Sequence, residues 1–308
     1  MRYNPIITSY ANIACLFTEI PINNVTVKWF FGNFFNLAWD KETNELIPCG
    51  TNISNRYEAI MNCPFIDVEI HSKEYLINKK EYRDDIVVLC PINTKLFGIT
   101  EKEYIHDVML KELEPSGQCK VYDFWQPQFK WKFQVCDYNS LVESIDFTNK
   151  ALFNKIIVFV IKNLSNFVEN VNYRCGEEVL SYLHTNYIEG KYVYGIEIYD
   201  SFCRYINSFN SYYDIPVTNF QILYEHYLFV REAFKTMQLS IGNTYQKCNY
   251  DLLFSELVKK IEILRNYVMK IWYSKKNAGE WKHKICKELL DLKREESNLL
   301  NKISETKF

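Results

Sequence analysis

A chain of 308 residues with 48% hydrophobic composition has material for two hydrophobic cores. Lys+Arg 36 against Asp+Glu 38 gives a net charge of −2. That lacks the basic excess that meets phosphates, so nucleic acid is not an expected partner. The 10 cysteines are scattered singly, without a C-x-x-C or a zinc-finger spacing, so no metal site is expected and most read as small core residues.

No secretory leader is read at the start of the chain. The most apolar window, residues 151–164, is interrupted by Asn154, Lys155 and Lys162. It falls short of the ~20 residues that a bilayer requires. No membrane association is expected, and unpaired cysteines without a leader imply the reducing cytoplasm.

In chain order, residues 9–18 read as a helix, with Ser9 as the capping residue and an apolar face of Ile13, Ala14, Leu16 and Phe17. Residues 65–70 alternate apolar and polar, the pattern of a half-buried strand. Residues 86–90 are continuously apolar and β-branched, as a central strand would be, with Pro91 ending it. Strand-like residues 104–110 and 119–124 flank the turn signal Glu114-Pro115-Ser116-Gly117, which predicts a hairpin. If its loop holds two or four residues, position 108 faces position 123. His106 then shares a face with Asp123, one diagonal step away. A loop of three residues would place them on opposite faces.

After a strand over 132–136, residues 138–164 read as helical, and most of the remaining chain does too. Thr218 to Gln221 fits a capping box that opens a helix running to about Met237. Apolar positions 250, 253, 254, 257, 258, 261, 264, 268 and 271 form a helical stripe, and Ile285 to Ile303 mark a last helix. The pattern predicts an α+β part over 1–145 and an all-helical part over 146–308.

Five short stretches together resemble the thiol-peptidase-fold acyltransferases related to the butirosin biosynthesis H protein, over nearly the whole chain. The run Pro5-Ile6-Ile7-Thr8-Ser9-Tyr10-Ala11-Asn12-Ile13 resembles that family's nucleophile helix. Tyr104 to Leu110 and Val121 to Phe124 resemble its His and Asp strands. Tyr192 to Glu197 and Tyr224 to Arg231 resemble its helical half. The resemblance implies a papain-like front domain and a helical back domain. It also implies acyl or peptidyl transfer from a carrier-protein thioester to an amine, as in closthioamide-type amide formation in antibiotic and nonribosomal peptide biosynthesis.

The implied catalytic set is position 9 as nucleophile, His106 as general base and acid, and Asp123 orienting the imidazole. The implied partners are an acyl or peptidyl carrier protein and an amine acceptor. The chain itself would bind no cofactor, and the phosphopantetheine would be carried by the partner. The family's cysteine is matched here by Ser9, a weaker nucleophile. Lost catalysis, a variant nucleophile and an introduced cysteine-to-serine replacement all remain open. Hydrolysis in the same fold and a non-catalytic binding role are the alternatives. Cys15 lies six residues into the helix as the nearest thiol, and Asn4 is a candidate for an oxyanion site. Trp125, Trp131, Phe124, Phe129 and Phe133 are read as packing or groove-lining residues. His71, His184, His226 and His283 are read as structural or surface residues.

Overall fold

The computed structural model describes residues 5–50, 56–78, 85–98, 103–125, 130–148, 155–169, 179–180, 182–183, 188–211, 214–241, 250–274 and 281–305. In chain order the elements are α1 (Ala11–Glu19), α2 (Val27–Phe34), β1 (Asn36–Asp40), β2 (Glu45–Cys49), α3 (Arg56–Met61), β3 (Ile66–His71), α4 (Glu74–Ile77) and β4 (Ile86–Asn93). There follow β5 (Ile105–Leu113), β6 (Gln118–Trp125), β7 (Lys130–Asp137), α5 (Tyr138–Ser144), β8 (Ile156–Ile161), β9 (Ile188–Glu189) and β10 (Tyr192–Tyr194). The chain ends in α6 (Ile198–Ser208), α7 (Val217–Ile241), α8 (Tyr250–Ser274) and α9 (Trp281–Glu305).

Two compact units result, one of residues 1–21 and 60–167, the other of 22–59 and 168–308. The units interleave along the chain, so no single cut near residue 145 separates them. The fold is mixed α and β, but 146–308 is not all-helical, because it contributes β8, β9 and β10. Among the described residues of the stretch read as helical from 138 to 164, only α5 is an α-helix. Residues 156–161 are Ile-Ile-Val-Phe-Val-Ile, and β-branched side chains favour a pleated strand buried on both faces over a helix.

The first unit is built on an antiparallel six-stranded sheet in the order β3-β8-β4-β5-β6-β7. One face carries Val88, Cys90, Ile92, Val108, Leu110, Cys119, Val121 and Val158, packed against Leu76 of α4 and Tyr138 and Leu141 of α5. Strand β4 is central as expected, yet Pro91 does not end it. Pro91 lies opposite Asp107 in a pairing that runs on to Asn93. Its carbonyl accepts from the Asp146 N–H, so its imino side faces away from β5. The pairing of β4 with β8 stops at Leu89, so the missing N–H costs no ladder bond there.

The predicted hairpin is present, but its loop has three bridging residues. Glu114 N–H donates to Gln118 O at 2.8 Å and Gly117 N–H to Glu114 O at 2.9 Å, with Gly117 at φ 83°. A left-handed residue at the end of a three-residue loop is the expected geometry, and glycine adopts it without strain. The register next to the turn is Glu112↔Lys120 and Leu113↔Cys119. Continued unchanged, it would set His106 and Asp123 on opposite faces. It does not continue, because β5 holds an extra residue at Lys111 and the pairing becomes Leu110↔Val121 and Met109↔Tyr122. That bulge shifts the register by one and puts Asp123 across from Val108.

Helix α1 lies against this sheet, and all nine of its residues are buried. It starts after Tyr10, whose carbonyl accepts from the Ala14 N–H at 2.8 Å, so Ser9 is not its cap. At its far end Glu19 accepts from Lys111 Nζ at 3.0 Å, with the two side chains 0% and 6% exposed. The residue that resets the hairpin register is therefore held in the interior by an ion pair.

The second unit combines a four-stranded sheet, β2-β1-β10-β9, with the long helices α7, α8 and α9. Helix α7 begins at Val217, one residue before the predicted cap Thr218. Asn219 instead accepts from the Leu46 N–H at 3.0 Å and donates to Asn44 O at 2.9 Å, tying the β1–β2 turn to the helix. Buried Tyr199 and Tyr227 both donate to Glu296 Oε2, at 2.6 and 3.1 Å, joining α6, α7 and α9. A buried carboxylate tolerates such a site only when donors of this kind replace its water.

Substituting Lys111→Met strands the buried Glu19 carboxylate and should cost ~3–5 kcal/mol in chemical denaturation. The double variant Glu19→Leu with Lys111→Met removes both charges and should recover most of that loss. Equal losses in the single and double variants would show that the ion pair does not hold the bulge.

Candidate functional site

His106 is the second residue of β5 and Asp123 the sixth of β6. With Asp123 opposite Val108, both side chains rise from the face that carries Val108 and Val121. His106 Nε2 and Asp123 Oδ1 are 2.8 Å apart. The carboxylate is nearly buried at 8% exposure, whereas the imidazole is 32% exposed. Tyr104, two residues earlier, stacks on the imidazole with ring centroids 5.9 Å apart. Tyr104 is not among the site residues expected from sequence, although strand alternation places it on the face of His106.

Burial is the largest influence on the His106 pKa and pushes it down. The hydrogen bond and charge of Asp123, with Asp107 adding to them, outweigh burial, and the net shift is upward. An imidazole whose Nε2–H is committed to a carboxylate keeps Nδ1 as the nitrogen that takes up or releases a proton. This is a base held in one orientation with an open second nitrogen, the arrangement that general acid–base chemistry requires.

Helix α1 belongs to the other face of the sheet. Glu19 meets Lys111, and Asp107 lies close enough to Cys15 to help raise its pKa. The N-terminal tip of α1 is Ala11. Ser9 sits half-buried two residues before that tip. The structure thus joins His106 to Asp123 directly, whereas α1 packs on the face that carries Lys111.

Cys15, the nearest thiol, is 1% exposed, and its pKa is raised well above the ordinary thiol value, first by burial and then by Asp107 and Glu19. It has neither the access nor the thiolate character of a nucleophile. Asn4, Phe129 and His184 lie outside the described residues, as do the side chains of Phe124 and Trp125. Trp131 is half-buried, and Phe133 is 48% exposed with its ring 5.5 Å from that of Tyr122. His71 bonds Glu69 at 2.9 Å, His226 is buried in the second unit and His283 is exposed.

Among the described residues, no cluster of His, Cys, Asp and Glu is arranged to hold a metal ion. Among them, too, no helix is long and apolar enough to cross a membrane. No protein-family model matches the chain, and no curated protein matches its sequence.

The raised His106 pKa has a definite sign in stability. Its contribution is complete below the ordinary histidine pKa and is lost as pH rises through the raised folded-state value. Replacing Asp123→Asn should lower the His106 midpoint in an NMR titration and shrink that pH-dependent component. An unchanged midpoint would mean that Asp123 does not set the charge of the imidazole.

Proposed function

We propose that the protein is an acyltransferase of the papain-like class, moving an acyl or peptidyl group from a carrier-bound thioester to an amine. The observation that carries this reading is the 2.8 Å contact between a partly exposed imidazole and a nearly buried carboxylate. One further feature supports it: the order along the chain is helix, His strand, Asp strand.

In this reading His106 Nδ1 accepts the proton of the side chain at position 9 as its oxygen or sulfur attacks the thioester carbonyl. The tetrahedral adduct collapses with cleavage of the C–S bond, and the proton passes from Nδ1 to the departing phosphopantetheine thiol. An amine then attacks the acyl-enzyme, giving its proton to Nδ1. The side chain at position 9 recovers that proton as the amide forms. Asp123 holds the ring and offsets the imidazolium charge throughout. Water in place of the amine gives hydrolysis. The cofactor remains on the carrier protein.

A non-catalytic binding role has two observations in its favour. Residue 9 is serine, and α1 lies on the face opposite the His–Asp pair. Converting Ser9→Cys separates the readings. The enzyme reading expects fast iodoacetamide labelling of residue 9 near neutral pH, slowed at least about tenfold by His106→Ala, because the thiolate is the reacting form. Peptide-level mass spectrometry distinguishes residue 9 from the buried thiols. Slow labelling that ignores His106 would leave only the binding role.

A further inference from the structure

We propose that Cys119 and Cys136 are a thiol modification site that closes to a cross-strand disulfide by exchange with a small-molecule disulfide. The two residues are direct partners in the β6–β7 ladder, and their sulfurs are 3.4 Å apart. Tyr138 N–H donates to Gly117 O, so the ladder alternation makes Cys119 and Cys136 a hydrogen-bonded pair. Such pairs have Cα atoms about 5.5 Å apart, inside the span that a disulfide bridges. Closing the sulfurs from contact to a bond length of about 2 Å also draws the β-carbons from the roughly 5.5 Å of a hydrogen-bonded pair to about 4 Å, a shift that the edge strand β7 can supply.

Access gives the pair a direction. Cys119 is 1% exposed, whereas Cys136 is only half-buried and lies on β7, the edge strand of the sheet. The Cys119 thiol beside it lowers the Cys136 pKa, while Cys119 is itself pushed up, first by that same contact and then by burial. Cys136 therefore reacts first. Its thiolate attacks one sulfur of glutathione disulfide, forming a mixed disulfide and expelling one glutathione thiolate. The Cys119 thiolate then attacks the Cys136 sulfur, forming the protein disulfide and expelling the second. The pair loses two electrons, glutathione disulfide gains them, and the two thiol protons end on two glutathione molecules.

Two comparisons inside the molecule sharpen the assignment. Cys203 and Cys286 also face each other, each sulfur 3.6–3.7 Å from the other's carbonyl oxygen, but both are buried. Cys90 shares the face of Cys119 and is completely buried. These thiols lack the exposed member that starts the exchange. Closure would fasten the edge strand to β6 on the face that carries Asp123, four residues along.

The test is to incubate the intact, folded chain with glutathione disulfide and read mass and tryptic peptides. The expected product has lost two hydrogens, carries no glutathione, and links peptide 112–120 to peptide 133–150. Cys119→Ser should stop at one glutathione on Cys136, and Cys136→Ser should leave Cys119 unmodified. A lasting glutathione adduct on the unsubstituted chain, an unreacted chain, or a link through Cys90 or between Cys203 and Cys286 would each overturn the proposal. The cross-link map of the unsubstituted chain decides the matter even if a variant fails to fold.

Discussion

The buried ion pair between Glu19 and Lys111 is the constraint on which the candidate site depends. A three-residue hairpin loop, left alone, would send His106 and Asp123 to opposite faces of the sheet. The extra residue in β5 reverses that, and it is a lysine drawn 3.0 Å from a carboxylate on α1. Burying two charges is expensive unless they meet, so the pair is a poor source of net stability but a strict condition on where Lys111 can be. The helix thereby specifies the register of a hairpin nearly a hundred residues later.

What can be read from the sequence is local. The hairpin is legible because Pro115-Ser116-Gly117 is turn chemistry between two apolar strands, and the long stripes of α8 and α9 are legible because 3.6-residue periodicity over 25 residues leaves little alternative. The partnership of His106 and Asp123 is legible too, yet through a two- or four-residue loop. A three-residue loop and a bulge reach the same facing by compensation. A bulge leaves no mark in a single sequence, because a lysine inside a strand reads as an outward-facing residue.

The elements that sequence misplaces share a cause, since each is fixed by what packs around it. Residues 156–161 read as part of a helical stretch, but their flanks are β3 and β4, contributed from far away in the chain. Pro91 looks like a terminator and is instead accommodated where the neighbouring ladder has already stopped. Ser9 looks like a cap, but the helix begins later, with Tyr10 in the cap position and its carbonyl accepting the first intrahelical bond from the Ala14 N–H. At the candidate site, the identities of His106 and Asp123 are visible in the sequence. The orientation of residue 9 relative to them is not, because it depends on which face of the sheet receives the helix.

The place of β8 in the sheet bears on how the chain is made. Strands β3 and β4 are both synthesised well before β8, which sits between them and is the ladder partner of each. Until residue 161 leaves the ribosome, an apolar strand edge on β4 has nothing to pair with. At typical elongation rates of about 5–20 residues per second, the roughly sixty residues between the two strands take several seconds to emerge. During that interval the nascent chain presents an open β-edge to its surroundings, the kind of surface that holding chaperones cover and that otherwise seeds aggregation.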